Sequence, residues 1–183
     1  ADNHDLTRIY TQMGEDYAKY KMAMAFLMTM RGIPQIYYGT EILMSGDGSN
    51  HGLVRKDFPG GWQGDERSAF TKEGRTDKEN EAFSFLQTLI QYRKSTTALQ
   101  TGKLMQFVPD EGIYIYFRYD NEQTVMVILN NNKEGESKFT TERYAECIKD
   151  FTQGKDILSG ESVSLKEITI SAKSQHLGQQ RLK

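Results

Sequence analysis

Residues 15–31, EDYAKYKMAMAFLMTMR, constrain this chain more than any other stretch. They contain no Gly or Pro and many good helix formers, so they predict one long helix. From Met22 onward the apolar side chains run almost all the way round, and a helix of that kind is buried on most of its sides. Gly32 stops it and Pro34 forbids continuation. The neighbouring sequence offers little to bury it against. Residues 33–39, IPQIYYG, read as one short, apolar, buried strand. The next regular element is again a helix: Thr76 and Glu79 form a capping box, and Ala82, Phe85, Leu86 and Leu89 fall at i, i+3, i+4 and i+7, with an expected end near Lys94. A lone strand between two helices, the first apolar all round, cannot close a core. Residues 1–98 are therefore expected to be part of something larger.

Between strand and second helix runs a long polar connection, residues 40–75, rich in Gly. Connections of that length are uncommon unless they serve a function. Beyond residue 98 the pattern changes to period two. GIYIYFRY (112–119) and TVMVILNN (124–131) read as strands joined by DNEQ, with shorter strands at 156–160, 162–165 and 167–171. These predict an antiparallel all-β module of six to eight strands, a sandwich. In the tail from residue 171, SAKSQHLGQQRLK, Gln175, Gln179 and Gln180 break the alternation, so the last strand is expected to be frayed or replaced.

Charge and cysteine content exclude several functions. The net charge is −2, with acid and base mixed along the chain and no basic stripe, so nucleic acid is not an expected partner. Cys147 is alone, which rules out an intrachain disulfide or a thiolate metal site built from this chain. The most apolar run, Met22–Met30, is about half the length of a membrane span. No cofactor is expected, and no metal: pairing His4 with Asp5, or His51 with Asp47, lacks convergent ligand spacing. The compartment stays open.

The opening Asp2-Asn3-His4-Asp5, followed at a helix's distance by Gly32-Ile33-Pro34-Gln35-Ile36-Tyr37-Tyr38-Gly39-Thr40-Glu41, resembles two signature regions of α-amylase-type glycoside hydrolases. In that family they lie at the ends of the seventh and eighth strands of a (β/α)8 barrel. Residues 50–62, NHGLVRKDFPGGW, with TEILM before them, resemble the neopullulanase and cyclomaltodextrinase branch. The resemblance implies an α+β fold in which residues 1–98 are the end of a TIM barrel (helix 7, strand 8, helix 8) and residues 99–183 are the family's antiparallel β-sandwich C-terminal domain. It also implies that the first six βα units lie outside this chain.

Retaining glycoside hydrolysis needs a carboxylate nucleophile and a carboxylic acid about 5–5.5 Å apart, together with groups that grip ring hydroxyls as charge develops. In the family resembled, the first two sit at the ends of strands four and five, positions absent here. Carried over by the motif, Asp5 is the third, transition-state-stabilising carboxylate and His4 a hydrogen-bonding partner of the same sugar. Arg55 falls where relatives place a sugar-contacting Arg; the plain alternative is a loop Arg paired with Asp57 or Asp65. Where several relatives have an Asp shortly before that Arg, this chain has Asn50 and His51. Arg8 is expected to brace the rim. Trp62, in PGGW, is a candidate stacking platform for a sugar face. Phe58, Tyr37 and Tyr38 are weaker candidates, because one of the two tyrosines must face a core if 33–39 is a strand. Glu41 reads as an orienting residue.

The resulting expectation is the C-terminal third of a retaining α-glucan hydrolase, inactive alone, with an α-glucan oligosaccharide as ligand. The missing N-terminal part of the same protein is a candidate partner. The alternative is a non-catalytic carbohydrate-binding or interaction module based on the β domain.

Overall fold

A computed structural model describes residues 1–148 and 151–181. The chain divides into two compact units, one formed by Ala1–Met24 with Ile33–Leu89 and the other by Ala25–Gly32 with Ile90–Lys183.

The first unit is built from helices and loops. Its elements are α1 (Ile9–Gln12), the first turns of α2 (Tyr17–Thr29), a 3-10 turn at Thr40–Ile42, α3 (His51–Val54) and most of α4 (Asp77–Ser95). Asp16 starts α2 by accepting the N–H groups of Ala18 (2.9 Å) and Lys19 (3.3 Å), the service an N-cap carboxylate renders to orphan donors. The capping box of α4 closes as its sequence predicts. Thr76 Oγ1 accepts the Glu79 N–H at 3.2 Å, and the Glu79 carboxylate accepts the Thr76 N–H at 2.8 Å. Tyr20, Met24, Ile42, Val54, Ala82 and Leu86 are buried in this unit, and Tyr10 meets Tyr20 edge to face at 6.0 Å.

Residues 33–37 differ from their expected strand: they run as irregular chain, and Ile33 is 98% exposed. Composition supplies a pleated, apolar surface, but a strand also needs a neighbour to exchange hydrogen bonds with. Among the described residues of this unit there is none.

The second unit holds the end of α2, then α5 (Thr97–Gln100), β1 (Lys103–Gln106), β2 (Ile113–Tyr119), β3 (Gln123–Asn130), β4 (Glu136–Thr140), α6 (Ala145–Ile148), β5 (Gln153–Asp156), β6 (Ser162–Ser164), β7 (Glu167–Ser171) and β8 (Ser174–Arg181). One sheet has the order β1-β2-β3-β8-β5-β6, the other pairs β4 with β7, and every pairing is antiparallel. Ile113, Ile115 and Phe117 of β2, Met126 and Ile128 of β3, and Ile168 and Ile170 of β7 make the core, with Tyr144 and Leu165. Successive side chains of a strand point to opposite faces, so Tyr116 and Arg118 turn away from that core. They meet the last turn of α2 instead. Thr29 Oγ1 bonds the Tyr116 hydroxyl at 2.5 Å, and Arg118 Nη1 donates to Thr29 O at 2.9 Å.

Two expectations for this unit change. The strand expected at 156–160 lies earlier, at Gln153–Asp156, because Asp156 folds the following residues into a turn by accepting the N–H groups of Leu158 and Ser159. The tail is not frayed over the described residues. It forms β8, eight residues long and flanked by β3 and β5; residues 182–183 lie outside the described part.

Candidate active site

The site grows out of the first eight residues. The Asn3 side chain accepts the N–H groups of Asp5 (2.8 Å) and Leu6 (3.1 Å), which turns the chain tightly and presents the His4 and Asp5 side chains outward. Asp2 faces the other way. Its carboxylate is buried, accepts the Ile9 N–H at 2.9 Å and takes the Thr40 hydroxyl at 3.2 Å. Asp2 thus ties the motif to the start of α1 and to the 3-10 turn.

The Gly-rich connection then folds back over this motif. Arg8 N–H donates to Gly46 O at 2.9 Å, Gly46 N–H to Thr11 Oγ1 at 2.9 Å, and Gly48 N–H to Thr7 Oγ1 at 2.9 Å. The approach is backbone on backbone: a Cβ on Gly48 would lie 2.7 Å from Thr7 N, and one on Gly46 would lie 2.5 Å from Leu53 O. Only glycine fits there. Asn50 next caps α3, its Oδ1 accepting the Gly52 N–H at 3.0 Å. This short helix places His51 and Arg55, four apart, on one side.

Both converge on Asp5. Arg55 donates from Nη2 to Asp5 Oδ1 at 2.8 Å and from Nε to the His4 carbonyl at 3.0 Å. His51 Nδ1 stands 3.8 Å from the same carboxylate oxygen, and His4 Nε2 stands 3.1 Å from Oδ2. The group is open to solvent, with the Asp5 side chain 56% exposed. A carboxylate has about four lone-pair positions, so Asp5 keeps acceptor capacity for an incoming hydroxyl while Arg55 fixes its orientation.

His4, Asp5 and Arg55, all singled out in the sequence, therefore come together. Arg55 pairs with neither Asp57 nor Asp65. Trp62 stays out of this cluster's bonding: its backbone N–H donates to Asp65 Oδ2 at 3.2 Å within its own loop, and the residue is 67% exposed. Phe58 packs on Phe70 at 4.6 Å.

Arg8 is fully buried. Its guanidinium lies over Tyr37 at 4.2 Å and Tyr38 at 4.7 Å and donates to the Tyr38 carbonyl, so it braces these tyrosines. Sequence reasoning missed His51 as a neighbour of Asp5. The available signal was its i, i+4 spacing to Arg55. Asp47 bonds the Ser49 N–H, which holds its carboxyl below the usual range, and it takes no part in the cluster. Among the described residues no group of three His, Cys, Asp or Glu side chains forms a metal-binding set, and no helix is long and apolar enough to cross a membrane.

Residues 1–70 match the α-amylase catalytic domain and residues 104–177 the cyclomaltodextrinase C-terminal domain. The chain belongs to the α-amylase family of glycoside hydrolases. It is similar to a cyclomaltodextrinase from a Bacillus species, 35% identical over 73% of this chain and 22% of that one. It also matches a cyclomaltodextrin glucanotransferase of Geobacillus stearothermophilus, 33% identical over 76% of this chain and 17% of the relative.

The chain thus spans about a fifth of the curated relatives it matches. Its fold is that of the end of an α-amylase catalytic domain followed by the C-terminal sheet domain. The α-amylase of Geobacillus thermoleovorans complexed with acarbose aligns with 100% of this chain and 38% of its own, at TM-score 0.73 and 21% identity. AmyP in complex with maltotriose aligns with 97% of this chain and 40% of its own, at TM-score 0.76 and 18% identity.

Proposed function

We propose that this chain carries the third-carboxylate corner of a retaining α-glucan hydrolase, with residues 1–98 belonging to the catalytic barrel and residues 99–183 to the C-terminal domain. The observation that supports the reading is the Arg55–Asp5–His4 cluster. In this role Asp5 accepts hydroxyl hydrogens of the sugar at the cleavage point, and these bonds strengthen as the ring gains oxocarbenium character. His4 donates to the same sugar. Arg55 holds Asp5 in register beside the developing positive charge. Trp62 offers a sugar face a stacking surface.

The groups that contact the Asp5 carboxylate are two histidines and an arginine. A nucleophile and a general acid, 5–5.5 Å apart as retention requires, come in this reading from polypeptide outside the 183 residues. The chain alone is then expected to be inactive toward maltooligosaccharides, cyclodextrins and pullulan.

The test is reducing-end release by mass-verified 183-residue chain, alongside fluorescence of the sole tryptophan, Trp62, titrated with acarbose. No turnover, with a saturable change in emission that Asp5→Asn weakens, is the expected result. Turnover above background overturns the incomplete-site reading. A flat emission titration overturns the role given to Trp62.

A further inference from the structure

The second unit contains a cleft of about 290 Å³ that enters between its two sheets. Met126, Ile128, Leu165 and Ile168 of the core form its deep wall, and Val163 of β6 its outer one. One end is polar. There His176 of β8 places Nδ1 2.6 Å from Asp156 Oδ2. The Asp156 side chain is only 4% exposed, and its other oxygen is occupied by the N–H groups of Leu158 and Ser159.

An ionised carboxylate only accepts, so the hydrogen between these groups sits on Nδ1 and the remaining nitrogen, Nε2, is an acceptor in the neutral ring. A buried carboxylate that orients one histidine is an arrangement that fixes which nitrogen faces a ligand.

Beside His176, two residues on along the same face of β8, Gly178 leaves the floor of the cleft open. A Cβ placed there meets nothing within 4 Å. Its φ is not left-handed, so backbone conformation does not demand glycine at this position; what the glycine supplies is space. Tight packing is the rule in protein interiors, and a cavity of roughly 150 Å³ already admits benzene.

No Phe, Tyr or Trp side chain lines the cleft, so the broad ring face typical of sugar-stacking sites is missing here. Ser162, Ser164, Glu167 and Thr169 also line it; its apolar side chains suit an apolar body, and His176 suits a donor carried on that body.

We propose that this cleft is a binding site for a small monocyclic aromatic compound bearing one hydroxyl, which lies against Met126, Ile128 and Ile168 and donates its O–H to His176 Nε2. The site is independent of the role given to Asp5.

The test titrates the full chain with phenol, toluene and maltose, followed by amide and His-ring NMR shifts. Saturable phenol shifts at His176, Gly178 and Val163 are expected, with toluene, which lacks the donor, about fivefold to tenfold weaker. His176→Phe should weaken phenol by the same factor and leave toluene unchanged. Gly178→Leu should fill the floor and abolish phenol binding; Val163→Phe fills the cleft from the opposite wall should the first variant fail to fold. The proposal is overturned by any of four results: absence of saturation, toluene equal to phenol, maltose shifting these residues in place of phenol, or phenol binding that survives in a folded, filled variant.

Discussion

Replacing Arg118 with methionine should destabilise the second unit by about 3 kcal/mol. Arg118 is 0% exposed, yet the bonds that hold it go to main-chain carbonyls. Nη1 donates to Thr29 O at 2.9 Å, Nη2 to Gly102 O at 3.2 Å and Nε to Lys103 O at 3.4 Å. Arg93 does the same one strip over, donating to Met28 O at 2.8 Å, Met30 O at 3.3 Å and Gly32 O at 2.7 Å. The partner the two cations share is the C-terminal end of α2, whose last carbonyls have no intrahelical donors and carry the helix's partial negative charge, while Gly102 and Lys103 supply Arg118 with its other two carbonyls.

Two well-formed, charge-assisted bonds are worth about 3–6 kcal/mol together. Against that stand the dehydration of the guanidinium, its repulsion by Arg93, and the apolar burial methionine would itself supply. Both burial and the Arg93 charge push the Arg118 pKa down, the sign expected of a cation held at a cost. A net loss at the lower end of the gross figure, about 3 kcal/mol, follows.

With a urea m-value of about 2 kcal/mol/M, the midpoint should fall by roughly 1.5 M, read by the near-ultraviolet dichroism of the tyrosines around Tyr114 and Tyr116. Arg118→Lys, able to reach one carbonyl at a time, should fall between. A midpoint shift below about 0.5 M for Arg118→Met, or a rise, would refute the idea that these carbonyls depend on the cation.

Thr76→Ala should loosen the start of α4 by about 1 kcal/mol, seen as faster amide exchange at residues 77–80. Glu79→Gln keeps the capping geometry but weakens the two bonds from Arg67, at 2.7 and 2.8 Å, so it should cost less than Thr76→Ala; equal or greater cost would contradict the assignment. Burial would raise the Asp156 carboxyl, but the hydrogen bonds from His176, Leu158 and Ser159 outweigh it and hold the group below its usual range. A depressed carboxyl stabilises above its unfolded value, about 3.9, and that contribution disappears as pH falls through the folded value. The stability gap between the wild type and Asp156→Asn should therefore shrink as the pH falls below about 4 in urea titrations; a gap flat from about pH 5 down to about pH 2 would show that the carboxylate charge is not the stabilising feature.

What the sequence discloses depends on how local the physics is. The capping box at Thr76 and Glu79 is decided within four residues, and it forms with both of its reciprocal bonds. The β2–β3 hairpin is nearly as local. Asp120 accepts the N–H groups of Glu122 and Gln123 across the DNEQ turn, which sets the register Tyr119↔Thr124. Residues 33–39 show the opposite case. Their side chains suit a strand, but pairing is a property of the neighbour.

The same distinction explains the cluster around Asp5. Asn3, His4 and Asp5 are contiguous and legible as a turn. That Arg55 rather than any other cation would reach Asp5 rests on the Gly46 and Gly48 backbone contacts, which bring together residues about fifty positions apart.

Strand β8 carries the argument furthest, because polar residues in a strand reveal little until each face has an address. Leu177, opposite Val127, is fully buried on one face. On that same face Gln179 does not disturb the packing, since its amide donates to Gln123 Oε1 at 2.6 Å, and the Gln123 amide in turn donates to Thr97 Oγ1 at 3.0 Å. A polar side chain among apolar ones is tolerated where another amide waits for it. The opposite face bears His176 and Gly178, one held by a buried carboxylate and the other leaving room. Part of the irregular alternation that reads as a frayed end thus has two separate causes, an amide network at Gln179 on one side of the strand and the wall of a cleft at His176 and Gly178 on the other. The buried amide of Gln180 has no hydrogen-bond partner among the described residues to explain it. A strand with eight ladder partners on β3 is not held by its hydrophobicity, so its side chains are free to carry chemistry.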